Sequence, residues 1–304
     1  MDSEPWLLPY FVCQLGDRYV SYGKISDNLW CEDCRFFLTL TQLKERLSDL
    51  NPLSITQDHQ PKLLPTFHCT PRTLVEYATM CPPFGWETTF KYASPELGQL
   101  DSHLEGVAYY PLFQDVFRAF ELTPLANVRV VIVGQDPYPQ LANNSTFPRA
   151  TGLSFSVRKG DAIPPSLAKI FREIRRTHPD CVLDSGDLTP WALQGVLLLN
   201  MALTYDPLHP KDHLHRWKGF LKKVVEGIQS SCKKVVWVLW GATADTGMTP
   251  FIGERALCLR SDHPAAEVHQ RGRTVVTARG PFSGNDHFVK INQMVKPCIY
   301  WNTA

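Results

Sequence analysis

The sequence predicts an α/β protein built on a central, mostly parallel four-stranded sheet flanked by helices. Three observations predict it. Predominantly apolar runs recur at 128–133, rich in β-branched residues, and at 196–199 and 235–240, with a weaker one at 256–260. Such runs are the mark of strands buried on both faces. Between them lie stretches whose apolar residues recur at i, i+3, i+4 and i+7, the period of a half-buried helix. The runs also stop on glycine or on short polar residues, which end strands. Strands alternating with helices in this way imply parallel pairing through crossovers.

Taken in order, residues 1–85 are punctuated by Pro5, Pro9, Pro52, Pro61, Pro65 and Pro71, and read as an irregular arm or a small appended layer. The main domain is expected over 86–304. Val107, Tyr110, Phe113, Phe117 and Phe120 have helical spacing, predicting a helix over 107–120. The first strand follows at 128–133 and ends at Gly134. Pro164-Pro165 opens a helix carrying Leu167, Ile170, Phe171 and Ile174, because proline is tolerated in a first helical turn. The second strand ends in Asn200. Trp217, Phe220, Leu221, Val224, Val225 and Ile228 form the stripe of the next helix. The third strand ends at Gly241, and the fourth runs into Ser261-Asp262-His263-Pro264.

Composition narrows the class. The 304 residues are 44% hydrophobic and 20% charged, the balance of a soluble globular chain and not of a disordered, collagenous or coiled-coil one. The formal charge is only +1, but it is a gradient: −4 over residues 1–100, −1 over 101–200 and +6 over 201–304. A polyanionic partner is therefore expected to meet the last third. Nine scattered cysteines, an odd number, fit free thiols in a reducing compartment. Cys31-x-x-Cys34 has metal spacing, with His68, Cys69 and Cys81 as completing residues, but no second such pair follows, and buried thiols are the preferred reading. The acidic start, Met1-Asp2-Ser3-Glu4-Pro5, does not read as a secretory signal. No apolar run approaches the about 20 residues of a membrane helix, so no membrane role is expected. No nucleophile elbow, P-loop or dinucleotide fingerprint occurs, which counts against small-molecule hydrolases and nucleotide enzymes.

In a parallel sheet, ligands bind beyond the carboxyl ends of the strands. Those ends carry Gly134-Gln135-Asp136-Pro137-Tyr138, Asn200, Gly241-Ala242 and His263-Pro264. An Asp, a Tyr, an Asn and a His converging on one sheet edge can position and polarise a small polar ligand. Singly, each has a plainer reading. Asp136 before Pro137 suits a turn, Phe155 suits a core, Asn200 a strand-end amide, and His263 the close of a strand.

With Gly152-Leu153-Ser154-Phe155-Ser156-Val157, Pro164-Pro165-Ser166-Leu167, Gly186-Asp187-Leu188 and Gln194-Gly195-Val196-Leu197-Leu198-Leu199-Asn200, the ordered set closely resembles the family-1 uracil-DNA glycosylases, from about residue 86 to the end. The arm and a lengthened late loop are most similar to versions carried by herpesviruses. The resemblance implies hydrolysis of the bond between uracil and deoxyribose in DNA, a catalytic domain over 86–304, and neither metal nor cofactor. It makes Asp136 and His263 catalytic, and Gln135, Tyr138, Phe155 and Asn200 uracil-binding. Phe155 would stack on the flipped base, and the Asn200 amide would pair with the uracil edge and reject cytosine. Tyr138 would exclude a thymine methyl. Asp136 would orient water and stabilise the cationic sugar, and His263 would donate to uracil O2. Pro164, Pro165, Ser166, Gly241, Ala242, Pro264 and Ala265 would contact the DNA backbone.

Four features depart from the family. Pro139 stands where a histidine is usual. Gly241-Ala242 lacks the usual hydroxyl. Glu267 stands where a leucine enters the duplex. The loop from His263 to His287 is long and bears Arg271, Arg273 and Arg279. An apolar wedge relocated within this loop is one reading, with Val268, Val275, Val276 and Phe282 as candidates and the arginines on phosphates. A solvated loop packing Thr274-Val275-Val276 on the body is the equal alternative. Expected partners are uracil-containing single- and double-stranded DNA, a replication polymerase or processivity factor, and a glycosylase inhibitor protein, bound by a monomer. A nuclear location is expected from the substrate. A non-catalytic replication accessory using the same fold is the competing function.

Overall fold

A computed structural model of the chain describes strands Phe11–Leu15, Arg18–Ile25, Asn28–Cys31 and Phe36–Thr39, and residues 71–303 apart from 144, 210–211 and 267–277. The chain divides into two compact units, Met1–Pro71 and Arg72–Ala304. In the first, the four strands named above, β1 to β4, form an antiparallel meander in sequence order, with Phe11 opposite Tyr22, Tyr22 opposite Cys31 and Cys31 opposite Phe36. The side chains of Cys31, Cys34, His68 and Cys69 lie outside the described residues. Cys81 is half-buried and in no disulfide.

The second unit begins at Arg72, earlier than the residue 86 expected from the sequence. Helix α1 (Leu74–Met80) belongs to it because its first N–H groups, on Leu74 and Val75, donate to the Asp101 carboxylate at 2.6 and 3.0 Å. Asp101 lies on α3 (Ser94–Leu104), which follows α2 (Glu87–Tyr92). The single helix expected over 107–120 is broken. Tyr110 exchanges two backbone hydrogen bonds with Tyr205, at 2.9 and 2.8 Å, and Pro111 has no N–H to continue a helix. What remains is a 3₁₀ turn at Phe113–Asp115 and α4 at Arg118–Leu122. The helical spacing was real for Phe117 and Phe120, both buried against Phe90 and Phe220.

The central sheet has β5 (Val130–Gly134), β6 (Val196–Asn200), β7 (Val236–Trp240) and β8 (Leu257–Ser261), in the order β6-β5-β7-β8 and parallel throughout. Every residue of β5, β6 and β7 is buried, and only the edge strand β8 shows water. That is why three runs are continuously apolar and the fourth is weaker. The crossovers carry α5 (Pro165–Thr177), α6 (Thr189–Ala192), α7 (Asp212–Arg216), α8 (Lys218–Ser231) and α9 (Ala242–Ile252), with α10 (His287–Met294) last. α5 buries Leu167, Ile170, Phe171 and Ile174, and α8 buries the stripe from Phe220 to Ile228. Each fully buried aromatic or aliphatic side chain of this core contributes roughly 1.5–3 kcal/mol.

The segment entering α10 is held by a buried carboxylate. Glu173 on α5 takes Arg176 at 2.8 Å and the N–H groups of Gly284 and Asp286 at 2.9 and 3.2 Å. Burial alone would raise the Glu173 carboxyl, but these donors outweigh it and hold it below its ordinary value. Among the described residues, no helix is long and apolar enough to cross a membrane.

Candidate active site

Parallel pairing brings the ends of β5 and β6 together, with Gly134 opposite Asn200. The register continues past the strands, as Met201 and Ala202 donate to the carbonyls of Gly134 and Gln135, each at 3.0 Å. The Asn200 side chain lies directly over Gly134. A Cβ at Gly134 would collide with Asn200 Oδ1 and sit 2.8 Å from Ser154 Cβ, so only glycine lets the amide occupy this place. Asn200 is 4% exposed, yet its amide makes no side-chain hydrogen bond among the described residues. An amide held in this place can pair with a ligand that offers a matching donor and acceptor edge.

Gln135 and Asp136 follow on the same strand end. The Gln135 amide donates to Asp136 Oδ2 at 3.1 Å. Burial raises the Asp136 carboxyl above its ordinary value, and the Gln135 bond only partly opposes this. Tyr138 donates its hydroxyl to the Phe155 carbonyl at 3.2 Å, and burial raises the phenol far above its usual range against the opposing charge of Arg149. It therefore stays a neutral, fixed wall.

Phe155 is set with unusual firmness. Its φ is 63°, a region that non-glycine residues rarely adopt. Two buried serines clamp it on either side. Ser154 takes its N–H to Leu198 O at 3.1 Å and its hydroxyl to Ile132 O at 3.2 Å, so it bridges both central strands. The Ser156 hydroxyl donates to Gly186 O and accepts from Leu188 N at 3.0 Å. Such strain persists only where the surroundings impose it. The Phe155 ring meets Trp240 at 5.5 Å and His263 at 6.1 Å.

His263 follows β8. Its Nδ1 accepts the Ala265 N–H at 3.1 Å, which assigns a neutral imidazole proton to Nε2. Gly241, at the end of β7, has φ 94° and ψ 165°, and a Cβ there would lie 2.9 Å from His263 Cβ. Glycines at the ends of β5 and β7 thus make room for Asn200 and His263 respectively. This sterically required pair is what the sequence reading missed. The signal was present, since each glycine closes an apolar run beside a polar strand-end residue. Ser154 and Trp240, which carry Phe155, were also missed and look like ordinary core residues in sequence.

The backbone-contact set is only partly available for that role. Ser166 lies in the first turn of α5, whose N-terminus has no side-chain cap after Pro164 and Pro165. Ala242 is exposed at the first position of α9. By contrast, the Gly241 N–H donates to Ser261 O at 2.9 Å, and the Ala265 N–H is taken by His263. Pro264 is buried. The N–H groups of Gly241 and Ala265 are therefore held by acceptors within the protein.

Of the wedge candidates, Phe282 is excluded. It is fully buried and edge-on at 5.1 Å to Trp240, the ring that Phe155 in turn meets. Val268, Arg271, Arg273, Val275 and Val276 lie outside the described residues. The Arg279 guanidinium is 3.8 Å from the Asp245 carboxylate and 3.9 Å from that of Asp262, so its charge already faces two anions beside His263.

The sequence pattern of the uracil DNA glycosylase superfamily matches residues 120–296. A uracil-DNA glycosylase of Klebsiella pneumoniae is 40% identical over 190 residues, 62% of this chain and 76% of the relative. One from Pseudomonas aeruginosa is 35% identical over 212 residues, 68% of this chain and 85% of the relative. The crystal structure of mimivirus uracil-DNA glycosylase superposes with a TM-score of 0.63 at 26% identity, over 75% of this chain and 89% of that one. A variant of the mimivirus protein in complex with UGI gives 0.64 at 27% identity, over 72% and 88%. The nuclear location expected from the substrate is overturned by these relatives. They include enzymes of bacteria, which have no nucleus, so acting on DNA does not imply one.

Proposed function

Because the chain belongs to the uracil-DNA glycosylase superfamily and places the family's motifs at one sheet edge, we propose that it extrudes uracil from DNA and hydrolyses the uracil–deoxyribose bond, leaving an abasic site for repair. The observation that carries the chemistry is the Asn200 amide, laid over Gly134 at the strand end that continues into Gln135 and Asp136. Its N–H₂ donates to uracil O4 and its carbonyl accepts from N3–H. Cytosine offers an amino group and a bare nitrogen there, the reverse pattern. Phe155 stacks on the base, Tyr138 closes the space of a 5-methyl group, and Gln135 lends backbone contacts.

As the C1′–N1 bond breaks, its electron pair leaves on uracil and positive charge grows on the sugar. The Asp136 carboxylate stabilises that charge and orients the water that adds its oxygen to C1′ and gives up a proton, which ends on the departing uracil anion. His263 Nε2–H donates to uracil O2, where negative charge collects, and the Ala265 N–H on Nδ1 keeps the proton on the correct nitrogen. The residues need no metal for these steps.

Ser166 and Ala242, at helix N-termini, are the backbone groups best placed for phosphate. Residues 268–276 and the arginines Arg271, Arg273 and Arg279 are the proposed duplex-opening loop. Deleting 268–277, which spares the 2.8 Å bond from Asp262 N–H to Gly280 O, is expected to weaken cleavage of duplex uracil far more than single-strand cleavage. Equal losses on both would sink that role. An inhibitor protein of the UGI kind, a replication polymerase or processivity factor, and a monomeric state complete the proposal. The arm and long loop favour a viral version of the family.

Incubation with a single-uracil oligonucleotide in chelator, followed by alkali, is expected to cut the strand. Asp136→Asn and His263→Leu are each expected to slow this by about 10²–10³-fold. A folded protein that leaves the strand whole would favour the non-catalytic accessory reading.

A further inference from the structure

We propose that residues 140–149 form a second DNA-contacting element, in which Phe147 stacks on a base next to the extruded uracil. The proposal rests on the glycosylase reading above. Its described residues, 140–143 and 145–149, are joined by an antiparallel bridge between Leu141 and Pro148, as in a hairpin. Ala142 N–H donates to Phe147 O at 2.9 Å, and Arg149 N–H to Gln140 O at 2.9 Å. It lies between two candidate site residues. The chain enters it from Tyr138 and leaves it towards Phe155, and these two are joined by the Tyr138 hydroxyl on the Phe155 carbonyl. The hairpin therefore stands on the rim of the same crevice.

It is also braced. Asp161, whose side chain is almost fully buried, accepts from Asn143 N–H at 3.1 Å and from Arg149 Nε at 3.2 Å, and Arg149 reaches Asn143 Oδ1 at 2.8 Å. Asp161 lies three residues before Pro164, so the brace ties the hairpin to the segment that opens α5 and its phosphate-facing N-terminus. At the tip, Phe147 is 57% exposed and Leu141 44%. A large aromatic held in water on a rigid tip loses little further entropy on stacking, and every base has a π-face to offer it. The local charge is positive by one, since Arg149 and Arg158 are paired with Asp161 and Asp115 at 3.2 and 3.0 Å and Lys159 adds a further cation, a balance that suits a polyanion. A base of the same strand is the occupant that this combination of aromatic, charge and position selects.

The test uses the full chain. Phe147→Ala is expected to raise KM for a single-stranded uracil oligonucleotide about tenfold, with kcat changed by less than about twofold, and Phe147→Trp to restore KM. In the slow Asp136→Asn background, anisotropy of a labelled oligonucleotide is expected to show the same tenfold weakening on Phe147→Ala. That weakening should vanish on an oligonucleotide whose uracil is flanked by abasic nucleotides, because no base is left to stack. Tyr92→Ala, which alters another exposed aromatic, is expected to change neither. A Phe147→Ala protein that binds and cleaves like its parent overturns the proposal, as does a weakening that persists in full without flanking bases. Loss of cleavage by the parent chain would instead strike the glycosylase reading, while the binding comparison would still decide Phe147.

Discussion

Replacing Gly241 by alanine places a methyl carbon 2.9 Å from His263 Cβ and 3.6 Å from both His263 Cα and Cδ2. Unstrained carbon contacts lie at about 3.5–4.0 Å, so the imidazole must retreat by roughly 0.6–1 Å. The backbone also resists. At φ 94° and ψ 165° Gly241 occupies a region that side-chain-bearing residues enter only at a cost of about 1–3 kcal/mol. For a unit of this size that is a fall in Tm of roughly 2–12 °C. The catalytic effect should be larger than the stability effect. A shift near 1 Å in the group proposed to stabilise developing charge costs about 100-fold in rate, whereas Asn200 and Phe155, the proposed base-binding residues, stay in place. Gly241→Ala is therefore expected to lower kcat about 100-fold with KM little changed. The assay is steady-state cleavage of a single-stranded uracil oligonucleotide below the new Tm, repeated in a His263→Leu background. If glycine acts by seating His263, its replacement adds almost nothing once the imidazole is gone. A Gly241→Ala enzyme with unchanged kcat, or losses that multiply in the double variant, would refute the reasoning and return Gly241 to a role on the DNA backbone.

Two further outcomes follow from buried titratable groups. Asp136 is held above its ordinary carboxyl value by burial. The folded state thus binds its proton more readily than the unfolded state, and the ionised form costs stability at neutral pH. Asp136→Asn is expected to raise the neutral-pH Tm while slowing cleavage, with the gain fading as pH falls through the ordinary carboxylate range; a lower Tm at neutral pH would contradict this. His287 lies behind the site, with Nδ1 accepting the Trp240 Nε1–H at 3.1 Å, and burial pulls its imidazole down to about 4. Between about pH 6.5 and 4 the unfolded chain takes up a proton that the folded chain refuses, so stability present above that window is lost on acidification, by up to about 3 kcal/mol. Urea midpoints across this range should fall less steeply in His287→Gln, and an unchanged slope would exclude His287 as the source.

The central sheet was legible because burial on both faces demands continuous apolar runs, and β5, β6 and β7 each supply one. The helices α5 and α8 were legible for the complementary reason, a one-sided stripe at helical period. The same rule misread 107–120, where Phe113, Phe117 and Phe120 keep the spacing but Tyr110 is taken by a bridge to Tyr205. Period reports which residues are buried. It does not report that the backbone has found a partner almost a hundred residues away. The site residues were legible as strand-end residues in a recognisable order. Phe282 was not, since nothing local distinguishes a loop phenylalanine that reaches for DNA from one that packs under Trp240.

The sequence by itself determined the class of fold, the family those motifs resemble and the strand ends proposed to carry the chemistry, because each is written in residue type and short spacing. Tertiary structure alone decided what makes those residues act together. It laid Asn200 over Gly134 and His263 beside Gly241, turned Ala265 into the donor that sets the histidine tautomer, buried Phe282 beneath the base platform and left Phe147 in water on a braced tip. The reason is physical. Side-chain identity fixes what a group can do, but collisions, orphaned donors and exposure are properties of pairs of residues far apart in the chain, and only packing brings them to the same place.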